Sequence, residues 1–146
     1  MSMQEIIEFT RALEHVVELA PEPGSEFPEI AWGDHFFYFS AGGTIPQRGQ
    51  PFATIVTKNY PDDDRCDLDP PGRFRVNVHA GRARLDELVT GDPIDYAATD
   101  QVLPHPLYAR QGWVAVVMPG PESLDLVTGL LREAHTAAAT RAAKRT

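Results

Sequence analysis

The stretch Arg73-Phe74-Arg75-Val76-Asn77-Val78-His79 alternates polar and apolar residues without a break. A period of two is that of a β-strand, whose successive side chains leave on opposite sides of a sheet. Phe74, Val76 and Val78 then share one face, and Arg73, Arg75, Asn77 and His79 share the other. Such a strand needs a hydrophobic layer on one side only, the signature of an antiparallel sheet with two unlike faces. Asp69-Pro70-Pro71-Gly72 leads into it with Pro and then Gly where a type II turn wants them.

The neighbouring runs fit the same sheet. His35-Phe36-Phe37-Tyr38-Phe39 is too short and too β-prone for a helix, Phe52 to Lys58 is a second β-rich run, and Gly112 to Met118 is nearly all apolar, as a central buried strand would be. Ser2-Met3-Gln4-Glu5 has the spacing of a capping box, and Ile6, Phe9, Leu13, Val16, Val17 and Ala20 form a stripe that predicts a helix running to Pro21. His15 falls on its solvated side. Residues 81–90 read as a short helix with Leu85, Leu88 and Val89 inward, closed by Gly91, and residues 92–111 read as irregular. Pro119-Gly120-Pro121 opens a C-terminal helix with Leu124, Val127, Leu131 and Ala134 inward, Glu122 and Asp125 at its positive end, and Lys144 and Arg145 at its negative end. The expected order is α-β-β-β-α-β-α. It predicts one α+β domain over residues 1–146, two layers deep, with an antiparallel sheet and its helices on one face.

The chain of 146 residues carries a formal charge of −8, concentrated in residues 1–72. Five aspartates (Asp62, Asp63, Asp64, Asp67, Asp69) precede four arginines (Arg73, Arg75, Arg82, Arg84), which predicts neutralisation between neighbouring segments. The longest apolar run, Trp113 to Met118, is far below the roughly 18–20 residues of a membrane helix. The lone Cys66 forms no internal disulfide, and the N-terminal residues lack the basic and apolar regions of a secretory signal, so a cytoplasmic location is expected.

Pro51 to Lys58 with Leu68 to Val78, and Leu103-Pro104-His105-Pro106-Leu107-Tyr108 through Gly112-Trp113-Val114, together with Ile30-Ala31-Trp32-Gly33-Asp34, resemble an uncharacterised actinobacterial family, a domain of unknown function. The likeness spans nearly the whole chain and brings no reaction with it. More distantly, the layout looks like the MmcQ/YjbR proteins, whose frataxin-like (CyaY-like) fold, related to secretion-chaperone folds, runs α-β(3)-α-β-α. The segment from His105 onward is also similar to a small bacterial domain that carries a luciferase label. MmcQ/YjbR proteins are often labelled DNA-binding, a role from which a chain of −8 departs.

Several groups are candidates for chemistry. Arg75, Asn77 and His79, followed by Arg82 and Arg84, would make a patch for a carboxylate or phosphate; the plainer reading is a sheet face turned to solvent or to a second subunit. His105, held between two prolines, would serve as a general base or a metal ligand with His35 or His79, against the plainer reading of a turn whose imidazole bonds backbone. No zinc-type spacing supports a metal site. The aspartates lack the ladder of a calcium loop and read as a solvated acidic segment. Cys66 among them would have its thiolate disfavoured. Trp32, Trp113, Phe36, Phe37, Tyr38 and Phe39 would line a pocket or form core, and Tyr108, close to His105, is the aromatic assigned to a site.

Phosphate-loop, dinucleotide, zinc-protease and serine-hydrolase motifs are absent from the sequence. The expectation is therefore a non-catalytic binding module for a small molecule or protein partner, possible as a homodimer, without cofactor or metal, with ligand contacts from Arg75, Asn77, His79, His105 and Tyr108. The alternative is an enzyme using His105 or His79 as acid/base and Arg75 as an anion clamp. Nucleic-acid binding through Arg73 to Arg84 ranks third.

Overall fold

The capping box forms as expected. Ser2 Oγ accepts from the Glu5 N–H at 3.2 Å, Glu5 Oε1 accepts from the Ser2 N–H at 3.1 Å, and helix α1 follows over Met3–Arg11. The computed structural model describes residues 2–46, 49–89 and 93–144.

The first helix is half as long as its apolar stripe suggested. His15 turns the chain at a φ of 59°, and Val16–Leu19 becomes strand β1, pairing Val16 with Phe39 and Leu19 with Phe36. Val16 and Val17 are β-branched, and an edge of aromatic residues offers them a better partner than a further helical turn does. His15 is exposed, as expected.

Strands β2 (His35–Phe39), β3 (Ala53–Val56) and β4 (Arg75–His79) follow, then helix α2 (Arg82–Leu88), β5 (Val102–Pro104), β6 (Trp113–Val117) and helix α3 (Leu124–Lys144). Single 3₁₀ turns lie at Glu29–Ala31 and Ala109–Gln111. Among the described residues the order is thus α-β-β-β-β-α-β-β-α, two strands more than expected. The sheet runs β1-β2-β3-β4-β6-β5 with every neighbouring pair antiparallel. Both unexpected strands lie at its edges.

The three helices cover one face. Ile6 and Ile7 from α1, Leu85 from α2 and Val127, Leu130, Leu131 and Ala134 from α3 pack on Phe37, Ala53, Ile55, Val76, Val78, Val114 and Val116 of the sheet. β6 is buried along its whole length, as its apolar run requires.

Helix α3 begins at Leu124, later than Pro119-Gly120-Pro121 suggested. Asp100, from the loop before β5, accepts from the N–H groups of Gly120, Glu122 and Ser123 and from the Ser123 hydroxyl, and so holds the turn that leads into the helix. Leu130 replaces the half-buried Leu124 in its inward stripe. Gly91 and Arg145 lie outside the described residues. No described helix is long and apolar enough to cross a membrane.

The expected pairing of the aspartates with the arginines reduces to one contact, Asp63 with Arg75. Arg84 pairs with Glu87 and Glu133, Arg82 donates to the Arg110 carbonyl, and Arg73 donates to the carbonyls of Asp67, Cys66 and Ala97. Arg75 and Arg84 are thus drawn into separate ion pairs, and Arg73 and Arg82 onto backbone carbonyls.

Candidate functional site

The alternation of β4 sets the floor of the site. With Val76 and Val78 under the helices, Arg75 and Asn77 stand on the opposite face, beside Thr54 and Val56 of β3 and Phe36 and Tyr38 of β2. The loop after β3 folds back over one end of this face, where Cys66 and Leu68 pack on Val56 and Val117. The segment 105–113 closes another side. Together they enclose a cleft of about 680 Å³.

Arg75 is the most enclosed charged group of the floor, 2% exposed. Its Nη1 donates to Asp63 Oδ1 at 2.9 Å and its Nη2 to Asp63 Oδ2 at 2.6 Å, the parallel fork that matches a carboxylate. Nε donates to Asn77 Oδ1 at 2.8 Å, and Cys66 Sγ accepts from Nη1 at 3.4 Å. Burial by itself would raise the Asp63 carboxyl, and the guanidinium bonded to it outweighs burial and holds it below the usual carboxylate range. Burial likewise works against the Arg75 charge, and Asp63 restores it. The pair is therefore an ion pair inside the protein. Losing one partner of such a pair costs about 3–5 kcal/mol, because the other charge is left buried.

His105 stands at the end of β5. Its Nδ1 accepts from the backbone N–H groups of Leu107 and Tyr108, both at 3.1 Å. Two donors on Nδ1 place the ring proton on Nε2, the nitrogen 3.3 Å from Arg75 Nη2 and 4.0 Å from Asp63 Oδ2. Burial and the Arg75 charge depress the imidazolium to about 4, with Asp63 opposing them in part. His105 is thus a neutral ring at pH 7, and Tyr108 lies over it with ring centroids 4.9 Å apart. The turn that sequence reasoning treated as the plainer alternative is present, and it is also part of the cleft.

Of the expected ligand contacts, Arg75, Asn77, His105 and Tyr108 come together on one cleft. His79 does not join them. It stacks on Trp113 at 5.2 Å, its Nε2 lies 2.8 Å from the Gln111 carbonyl, and it lines an adjacent cavity of about 520 Å³ with Phe39 and Arg141. His35, the other suggested metal companion, bonds Glu18 at 2.7 Å, away from His105. Among the described residues no three His, Cys, Asp or Glu side chains converge as a metal would need. Phe36, Tyr38 and Trp113 line the cleft, whereas Phe37 is core and Trp32 donates its indole N–H to the Phe27 carbonyl.

Sequence reasoning missed Asp63, Tyr60 and Thr54 as cleft residues. A fully buried arginine demands a carboxylate, but five aspartates precede Arg75 and only the loop path selects Asp63. Tyr60 is placed by a second buried carboxylate. Asp34, fully buried, accepts from the Thr57 N–H and hydroxyl at 2.9 and 2.8 Å, from Lys58 Nζ at 3.1 Å and from the Tyr60 hydroxyl. Burial, and then Asp34, push the Tyr60 phenol up, so it stays protonated as a donor.

The chain matches, over residues 1–146, a family described as "Family of unknown function (DUF6194)". It belongs to the DUF6194 family. No curated protein and no solved structure matches it. The stretches that suggested family membership meet around the cleft of this DUF6194 chain. The Trp32-Gly33-Asp34 turn and Thr57-Lys58 are tied by Asp34, with Lys58 Nζ also 2.7 Å from the Trp32 carbonyl. The Leu103 to Tyr108 segment supplies His105, and Arg73 to Val78 supplies the floor.

Proposed function

We propose that the cleft binds a small, uncharged, largely planar molecule, and that the protein is a non-catalytic binding module. The observation that carries this reading is the internal match of charge in the floor. Every nitrogen of Arg75 already donates to Asp63, Asn77 or Cys66. An incoming anion would have to displace Asp63 and leave a carboxylate buried without its partner. What the cleft offers instead is aromatic surface from Phe36, Tyr38, Tyr108 and Trp113 with a few hydrogen-bonding groups between, the usual character of a small-molecule site.

The same geometry weighs against the enzyme reading. To take a proton, His105 would have to release the two N–H groups on Nδ1 and carry a positive ring against Arg75. The scattering of Arg73, Arg82 and Arg84 weighs against nucleic acid, which needs a shared basic surface. Cytoplasmic residence belongs to this proposal, with the free, buried thiol of Cys66 in its support. So does a YjbR-like fold, whose four strands would correspond to β2, β3, β4 and β6, with β1 and β5 added at the edges.

The test is an NMR titration of the labelled protein with neutral bicyclic aromatics such as quinoline and naphthalene. Shift changes confined to amides of Phe36, Thr54, Asn77, Leu107 and Tyr108 are expected. Changes spread over the helical face, or none with any probe, would refute the reading.

A further inference from the structure

The ion pair in the floor reaches beyond its own two residues. Arg75 Nε has only a proton to give, so the Asn77 group facing it at 2.8 Å is the carbonyl oxygen. That orients the Asn77 amide without ambiguity. Its NH₂ then faces Thr54 Oγ1 at 2.9 Å, and Thr54 accepts. A hydroxyl has one proton, and the group that Thr54 touches is already a donor. Thr54 lines the cleft, and among the described residues its hydroxyl has no acceptor. Asn77 is 3% exposed, so water does not compete for its orientation. The donors therefore run in one direction, from Arg75, held by the Asp63 carboxylate, to Asn77 and from Asn77 to Thr54.

We infer that this chain fixes the polarity of the cleft, so that Thr54 presents a hydrogen-bond donor and the ligand is an uncharged planar ring bearing an acceptor, a carbonyl oxygen or ring nitrogen. The inference rests on the cleft reading above and names the ligand class within it. Thr54 is a specificity-determining residue, and Arg75 and Asn77 are positioning residues that act through it. A neutral hydrogen bond discriminates against a ligand that would leave its donor unpaired. At the half-buried Thr54 hydroxyl the expected effect is about tenfold in affinity.

Three bicyclic probes of similar size separate the possibilities. Naphthalene has no polar atom, quinoline at pH 7.5 only accepts, and indole only donates. Titrated into the wild-type protein and followed by NMR, quinoline should bind about tenfold more tightly than either of the others. Thr54→Val, which keeps the shape and removes the hydroxyl, should level the three, and Thr54→Ser should restore the preference. Asn77→Asp is the sharper variant, because a carboxylate accepts from both Arg75 and Thr54. The Thr54 proton then turns inward, an oxygen lone pair faces the cleft, and indole should overtake quinoline. If quinoline keeps its advantage in Thr54→Val, or shows none in the wild type while all three bind in the cleft, the inference is overturned and the cleft stands. Absence of binding by all three overturns both. Should Asn77→Asp fail to fold, the Thr54 pair decides alone.

Discussion

Arg75 and Asp63 meet through two parallel N–H···O bonds, 2.9 and 2.6 Å long, one partner on a central strand and the other on the loop that folds over it. The contact does two things at once. It ties the covering loop to the sheet, and it neutralises the strongest charge in the cleft floor. Its removal should be felt in stability first.

Asp63→Asn is expected to destabilise the protein by about 3–5 kcal/mol, since it strands a buried guanidinium. Replacing both partners by apolar residues of similar size, Arg75→Met with Asp63→Leu, should recover much of that loss. Urea unfolding of the wild type and the two variants checks this. Equal losses in the single and double variants would show that the packing, not the charge, is what matters.

Acid should act through His105 and Asp63. The folded pKa of His105, about 4, lies below its ordinary value near 6.5, so the unfolded chain binds the proton first. Stability is complete above about pH 6.5 and falls as the pH drops toward 4, by up to about 3 kcal/mol. The depressed Asp63 carboxyl continues the loss below pH 4, as its protonation releases Arg75. His105→Asn keeps an acceptor for the N–H groups of Leu107 and Tyr108 and does not titrate. Unfolding free energy measured between pH 4 and 7.5 should lose most of its slope in that variant, and an unchanged slope would contradict the assignment.

Asp100 holds the turn ahead of α3 through four hydrogen bonds of 2.6 to 3.1 Å, which hold its carboxyl down at about 2, the Ser123 hydroxyl contributing most. Its residue sits at a φ of 58° that Asn tolerates and Ala does not. Asp100→Ala should therefore lower Tm more than Asp100→Asn, and amide exchange should speed up in the first turn of α3. Loss of the same protection in both variants would argue for the charge alone.

Gly112 turns the chain into β6 at a φ of 90°, and a Cβ there would lie 2.7 Å from the backbone of Gly81. Gly112→Ala must move one backbone segment off the other. Backbone strain contributes about 1–3 kcal/mol by itself. Because Gln111 and Trp113 flank this residue and line the cleft, a shifted tryptophan emission should accompany the fall in Tm. A native-like emission at lower Tm would separate the turn from the cleft wall.

The four inner strands were legible in the sequence, because each carries the apolar residues it buries on the helices within one β-prone segment. Arg73 to His79 is the clearest case. The edge strands were not. Val16–Leu19 carries a pattern that fits a helix equally well, and only the aromatic edge of β2 decides for a strand. Val102–Pro104 is three residues long and owes its conformation to β6. The same division holds at the site. That Arg75 and Asn77 share a face, and that His105 sits in a rigid turn, follows from alternation and proline alone. Which aspartate would meet Arg75, that His105 would come within 3.3 Å of it, and that Asn77 would orient Thr54 depend on residues 12, 30 and 23 positions apart. Local propensity acts over one turn of helix or one strand, whereas a buried charge selects its partner from whatever the folded chain brings within reach.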